Sequence, residues 1–224
     1  MKAVFDALSA ELPGATILVV DDASTDSSLS VALADRRVKV LSLPVNGGVG
    51  TALQAGFKFA LKNGLDVAVK FDGDGQHRAE ELPDLLRPIA SGEADVVVGS
   101  RFLEKEEDGF RSTPMRRLGI SLLNFANLLA TGKHITDCTS GFRAYNKKAM
   151  QFLSVNYTSF DYPEPEEFVL LHKDGLTLLE VSTKMSPRLS GVSSISPVKS
   201  AYFMCKMLFC IFMASLRAPV VKGK

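Results

Sequence analysis

Histidine and cysteine are scarce in this chain of 224 residues, with three of each, and that scarcity closes several routes. His77, His134 and His172 stand far apart, and Cys138 has no evident base partner, so no nucleophilic triad is written here. Cys138, Cys205 and Cys210 lack metal-ligand spacing and cannot all pair with one another, which points to a reduced, cytosol-facing chain. Excess charge is missing too: 26 basic against 25 acidic residues leave a formal charge of +1, without the dense basic face that nucleic acid demands. No charged-then-apolar leader opens the sequence, because Val4, Leu8 and Leu12 fall on one face of a helix instead. The one stretch with membrane character, 201–216, is shorter than the roughly 20 residues of a spanning helix, and Lys206 interrupts it. Repeats and low-complexity tracts are lacking. Hydrophobic residues still make up 46%, enough to fill the core of one ordinary domain with an appendage.

What is present alternates. After the opening helix, Pro13-Gly14 forms a break, and apolar runs at 16–20, 38–43, 67–71 and 95–99 read as short buried strands. Between them lie helices from about 24, over 51–63 with Gly64 as its stop, and over 83–91. That alternation is the signature of a parallel sheet covered on both faces. Beyond residue 100 the expected order is a charged irregular loop over 104–117, a helix over 120–130, and a compact polar motif over 136–145. A helix over 168–173, a strand over 177–181 and a Ser- and Gly-rich loop over 187–197 follow. The apolar tail, flanked by Lys199 and Arg217, reads as an interfacial helix. A helix packed on the core is the plainer alternative.

Two acidic clusters follow directly on strands. Asp21-Asp22 closes Val19-Val20, and Asp72-Gly73-Asp74-Gly75-Gln76-His77 follows Val67 and its neighbours. In open α/β sheets the carboxyl ends of strands are where ligands bind. Carboxylates two residues apart, Asp72 and Asp74, suit Mg²⁺ or Mn²⁺, with Gln76 and His77 near enough to ligate or orient. An exposed Asp-Gly turn is the plain alternative. Asp21 and Asp22 repel each other, so a hydrogen-bond-donating ligand such as the base and sugar of a nucleotide would suit them; a helix cap would explain Asp26 better than either. The loop Asn46-Gly47-Gly48-Val49-Gly50 precedes a helix but matches no phosphate-loop pattern. Arg101, Arg143 and Arg188 sit in glycine-flanked motifs where a planar fork suits phosphate oxygens. Asp137 is a candidate general base or a turn aspartate. Glu164, Glu166 and Glu167 orient an acceptor or simply start a helix.

In their order, VVDDASTD, NGGVGTALQAGF, KFDGDGQH, VVVGSRF, TDCTSGFRAY, YPEPEEFVLL and PRLSGVSSI resemble the inverting GT-A glycosyltransferases of family 2. Polyprenyl-phosphate sugar transferases and dolichol-phosphate mannose synthases resemble it most. The resemblance implies a Rossmann-like α/β domain over 1–195 and a membrane-proximal helix and basic tail over 196–224. It implies an enzyme that moves a sugar from a nucleoside-diphosphate sugar to a polyprenyl phosphate or envelope glycan at the cytoplasmic face of the membrane. Position by position, Asp21, Asp22, Asn46 and Gly47 would hold the nucleotide; Asp72, Asp74 and Gln76 would hold Mg²⁺ or Mn²⁺ with the diphosphate. Arg101, Arg143 and Arg188 would meet phosphate charge, and Asp137 marks where a base is placed. The implied partners are the donor, the lipid-linked acceptor and a membrane surface or membrane partner protein, and no nucleic acid.

Family members open with an apolar strand inside the sheet, whereas this sequence starts at the helix that follows it. The expectation is therefore a sheet lacking its first strand, with more stability and donor affinity once upstream sequence is restored. A non-catalytic partner protein and a sugar-nucleotide pyrophosphorylase are the alternatives; the second would need a basic glycine-rich loop near the first strand, and nothing before residue 16 supplies one.

Overall fold

The structure, a computed structural model, describes residues 1–103, 114–157, 164–186 and 197–219. In chain order the elements are α1 (Lys2–Glu11), β1 (Ile17–Asp21), α2 (Ser28–Leu33), β2 (Val38–Ser42), α3 (Gly48–Lys62) and β3 (Val67–Lys70). A single 3-10 turn, Ala79–Glu81, leads into α4 (Leu82–Ala90). There follow β4 (Val96–Ser100), α5 (Pro114–Thr131), β5 (Arg143–Asn146), α6 (Lys147–Asn156), α7 (Glu164–Lys173), β6 (Leu178–Ser182) and α8 (Pro197–Leu216).

The strands pair in two groups. β1 and β2 run parallel, Ile17 opposite Val38. The other four lie in the order β3-β5-β4-β6. Here β5 is antiparallel to both neighbours, and β4 and β6 are parallel. Among the described residues β1 and β3 each keep one edge without a ladder partner. Helix α3 packs against both of them.

Burial follows the hydrophobic pattern. Val96-Val97-Val98 of β4 is fully buried, as an unbroken apolar strand at the centre of a two-faced sheet must be. On one face, Phe57 and Ala60 of α3 meet Tyr145, Met150, Leu153 and Leu171. On the other, Leu82, Leu85 and Ile89 of α4 meet Val97, Phe142 and Ala144, with Leu8 of α1 and Leu12 just after it against the same cluster. A third cluster joins Leu123 of α5, Phe168 to Leu170 of α7 and Met207, Ile211 and Ala214 of α8. So α8 buries one face in the domain. Lys173 caps its last turn, donating to the carbonyls of Ala214, Ser215 and Arg217, and Arg217 reaches Asn156. The opposite face is bare: Tyr202, Phe209, Phe212 and Leu216 are exposed. Neighbouring α5 exposes Leu118, Leu122, Phe125 and Leu129, spaced as one helical stripe. No helix among the described residues is long and apolar enough to cross a membrane.

The sequence expectations differ from this fold in several places, among them the starts of α2 at Ser28 and of α7 at Glu164. Helix α5 starts at Pro114 rather than near 120; its first turn carries Arg116 and Arg117, whose charge masks the helical period. The polar motif 136–145 runs into an antiparallel strand, β5, so the sheet is mixed in direction beyond β3. Helix α6, capped by the Asn146 side chain on Ala149 N–H, had no counterpart in the sequence reading. Residues 104–113 and 187–196, including Arg188, lie outside the described residues.

Candidate active site on the carboxyl edge of the sheet

Strand direction decides which side chains share an edge. Helix α3 starts where β1 ends, since Gly47 and Gly48 N–H both donate to the Asp22 carboxylate, at 2.8 and 2.7 Å. It runs back along the sheet and turns at Gly64 (φ +70) into β3. Hence β3 points the same way as β1, and its far end rises beside the Asp22 end. Because β3 and β4 are both antiparallel to β5, β4 points that way as well, and so does β6. One edge therefore gathers Asp21-Asp22, the Asp72–His77 loop, Ser100-Arg101, the Ser140–Arg143 entry to β5 and Thr183 after β6.

On the β1 side, Asp21 is buried and accepts from the Ser42 hydroxyl at 3.2 Å. Asp22 uses both oxygens to cap α3, and Asn46 donates back to the Asp22 carbonyl at 3.2 Å. The glycine loop is thus strapped to the strand end. Asp26, the expected cap, accepts from Ser28 N–H at the start of α2. At Gly47 any Cβ would lie 2.8 Å from the Thr51 side chain, which excludes larger residues.

On the β3 side, Asp74 accepts from Gln76 N–H at 3.0 Å, closing a tight turn. The Asp72 side chain is 47% exposed, and its Oδ2 lies 3.1 Å from His77 Nε2. A Cβ on Gly141 would fall 3.1 Å from that same oxygen, so the entry to β5 closes directly on the carboxylate. Among the described residues no three His, Cys, Asp or Glu side chains converge as a cage. Asp72, Asp74 and Gln76 offer two carboxylates and an amide oxygen, hard donors of the kind that Mg²⁺ and Mn²⁺ take when phosphate oxygens and water supply the rest. The donor set fits such an ion.

The arginines are placed differently from one another. Arg101 is 9% exposed and forks onto Asp137, Nε to Oδ2 at 2.6 Å and Nη2 to Oδ1 at 2.8 Å, with Thr139 as a further acceptor. Burial works against its charge, but Asp137 holds the guanidinium above its ordinary value. Arg143 is wholly buried and gives its donors to Glu167 and to the carbonyls of Ser140, Cys138 and Glu164. This placement makes Arg143 an interior organiser of the α7 start; it does not support the phosphate role expected of it. Asp137, also fully buried and held by Arg101, is likewise a brace here and does not meet a base's need for contact with the acceptor.

The acidic start of α7 is buried rather than solvated. Glu164 pairs with Lys70, and Tyr145 and Tyr157 both donate to Glu167. Burial disfavours the Lys70 charge, yet Glu164 and Asp72 raise its value. Burial and the Glu167 charge push both tyrosines well above their usual range. Glu180, unnoticed in the sequence, accepts from Thr136 N–H, Thr136 Oγ1 and Asp137 N–H. Its signal was an acidic residue inside the apolar run Leu178–Ser182. Lys70 and Asn124 were missed too; Asn124 sews α5 to the carbonyl of Thr136 and the N–H of Cys138.

Residues 2–153 match the family model "Glycosyl transferase family 2". The chain belongs to glycosyl transferase family 2. It is 34% identical over 193 residues to the polyprenol monophosphomannose synthase of Mycolicibacterium smegmatis, covering 82% of this chain and 71% of that one. It is 31% identical to the UDP-N-acetylglucosamine–dolichyl-phosphate N-acetylglucosaminyltransferase of Methanococcus voltae, covering 75% and 73%. In fold it is similar to glucosyl-3-phosphoglycerate synthase from Mycobacterium tuberculosis, solved with Mn²⁺, UDP-glucose and phosphoglyceric acid, at TM-score 0.71, 19% identity, and 98% and 76% coverage. The family 2 domain is that of a sugar-transferring enzyme with a mixed α/β GT-A fold.

Proposed function

We propose that this family 2 enzyme moves a sugar from a nucleoside-diphosphate sugar to the phosphate of a polyprenyl carrier, at the cytoplasmic face of a membrane. The observation that carries this reading is the delivery of Asp21-Asp22 and the Asp72–Gln76 loop to one edge of the sheet. Names of the two relatives above point to lipid-phosphate acceptors. Asp21, with Asn46 and the Gly47 loop, faces the nucleoside, and Asp72, Asp74 and Gln76 hold Mg²⁺ or Mn²⁺. When bound, the ion neutralises charge that grows on the departing diphosphate. Asp72 and Asp74 fix that charge sink in place, and the Lys70–Glu164 and Arg101–Asp137 pairs brace the floor behind it. A phosphate acceptor is already ionised, so no general base is needed, which agrees with the burial of Asp137. Direct attack inverts the anomeric carbon. Arg188, outside the described residues, keeps the phosphate role that the family resemblance gives it.

Membrane contact is assigned to the exposed apolar stripes of α5 and α8, consistent with an acceptor held in lipid. Three free cysteines fit a reducing compartment. The test is transfer from labelled UDP- and GDP-sugars to undecaprenyl phosphate with Mn²⁺. Asp74→Ala and chelator should each cut the rate by at least about a hundredfold. Full activity in both would end this reading.

A further inference from the structure

His77 is nearly sealed, its side chain 3% exposed. Among the described residues its one polar side-chain contact is the 3.1 Å approach of Nε2 to Asp72 Oδ2, and Nδ1 is buried without a partner. An ionised aspartate only accepts, so the hydrogen bond between them is made by an N–H at Nε2. The ring itself is held on every side. It stacks on Phe142 with centroids 4.9 Å apart and planes at 21°, and Phe71 meets it edge-on at 5.5 Å. Its backbone forms an antiparallel bridge with Met185, and Ser186 N–H donates to Gln76 O next door. Phe142 can occupy this place because residue 99 is glycine. A Cβ there would stand 2.7 Å from Phe142 Cδ1 and 2.5 Å from Thr183 Cγ2.

We infer that His77 is a positioning residue for Asp72, aimed by a stack that runs from Gly99 through Phe142; this rests on the reading of Asp72 as the metal and diphosphate carboxylate. The Asp72 side chain is about half exposed, and the next residue, Gly73, has open space around it. The Lys70 charge acts on this carboxylate as well, but the imidazole contact is the one made directly to Oδ2 by a ring that is itself packed in place. It sets the direction in which that oxygen faces a cation. Partners of this kind tune metal affinity as strongly as some ligands do.

Four proteins test this: wild type, His77→Phe, His77→Gln and His77→Asn. Phenylalanine keeps the stack and removes the donor. Glutamine sets an amide N–H where Nε2 sits, whereas asparagine sets it at the place of Nδ1. Mn²⁺ is titrated calorimetrically in the presence of UDP and, separately, GDP, and each protein is melted without metal. The expected result is Mn²⁺ binding weakened about 10- to 100-fold in His77→Phe and His77→Asn, with the metal-free melting of His77→Phe unchanged and His77→Gln close to wild type. Equal Mn²⁺ affinity for wild type and His77→Phe overturns the inference. If His77→Phe fails to fold, equal affinities of the glutamine and asparagine variants overturn it. A wild-type chain that binds no Mn²⁺ with either nucleotide overturns the proposed function, and this inference falls with it.

Discussion

Removing one member of the Arg101–Asp137 pair leaves the other charge buried without its counter-ion. Such half-pairs typically cost about 3–5 kcal/mol, so Asp137→Ala should lose that much stability in urea unfolding. The double variant Arg101→Met, Asp137→Leu should recover most of it. Full activity in a stable double variant would place phosphate handling elsewhere on the edge. Gly99→Ala should cost about 1–3 kcal/mol through overpacking against Phe142 and Thr183. The loop proposed for the metal was legible because Asp72, Asp74 and Gln76 follow an apolar strand and are spaced by glycine. The partners of the arginines were not. A sequence shows that Arg143 can fork onto two oxygens; it does not show that Glu167, 24 positions away, supplies one of them.

At the opposite edge from the site, Asp95 ties three strands together. It accepts from Thr177 N–H before β6, from Asn146 at the end of β5 and from Lys148 on α6. Burial opposes its ionisation, but these donors hold its carboxyl below the usual range. A depressed folded value contributes stability above about pH 4, the unfolded value, and loses it as pH falls through the folded value. Asp95→Asn should therefore be less stable than wild type at pH 7, with the gap closing as pH falls through the folded value; a gap that does not vary with pH would refute the ionic account. In α8, Phe209 and Phe212 are 62% and 56% exposed. Replacing both with serine should weaken sedimentation with anionic vesicles about tenfold and leave melting unchanged. Undiminished vesicle binding would remove these residues from any membrane contact. The apolar character of α8 was plain in the sequence, but the matching stripe on α5 was hidden by the charged turn at its start.

Across the whole molecule, strand-helix alternation up to residue 100 was readable because each apolar run is short and bounded by Gly, Pro or Asp. The order of the sheet was not readable, because β5 enters between β3 and β4 from a segment that looks like a polar loop. That insertion carries Gly141 to Asp72 and so completes the edge. A ligand that binds the folded edge stabilises the whole domain by mass action. At about 100 times its dissociation constant, Mn²⁺ with nucleotide should add about 2.7 kcal/mol, several degrees of melting temperature for a domain of this size. Asp74→Ala should abolish the rise, with unliganded melting lowered only by the loss of its turn contacts; a rise that survives would move the metal away from this loop.

Asp22 is a poor lever for an experimenter who wants to dissect nucleoside recognition. Truncating it releases the amide hydrogens of Gly47 and Gly48, so the glycine loop comes loose and the first turn of α3 frays. Weakened affinity in that variant would report a displaced loop as readily as a missing ribose contact. Asp21, whose side chain among the described residues accepts from the Ser42 hydroxyl and caps no loop, is the cleaner place to cut.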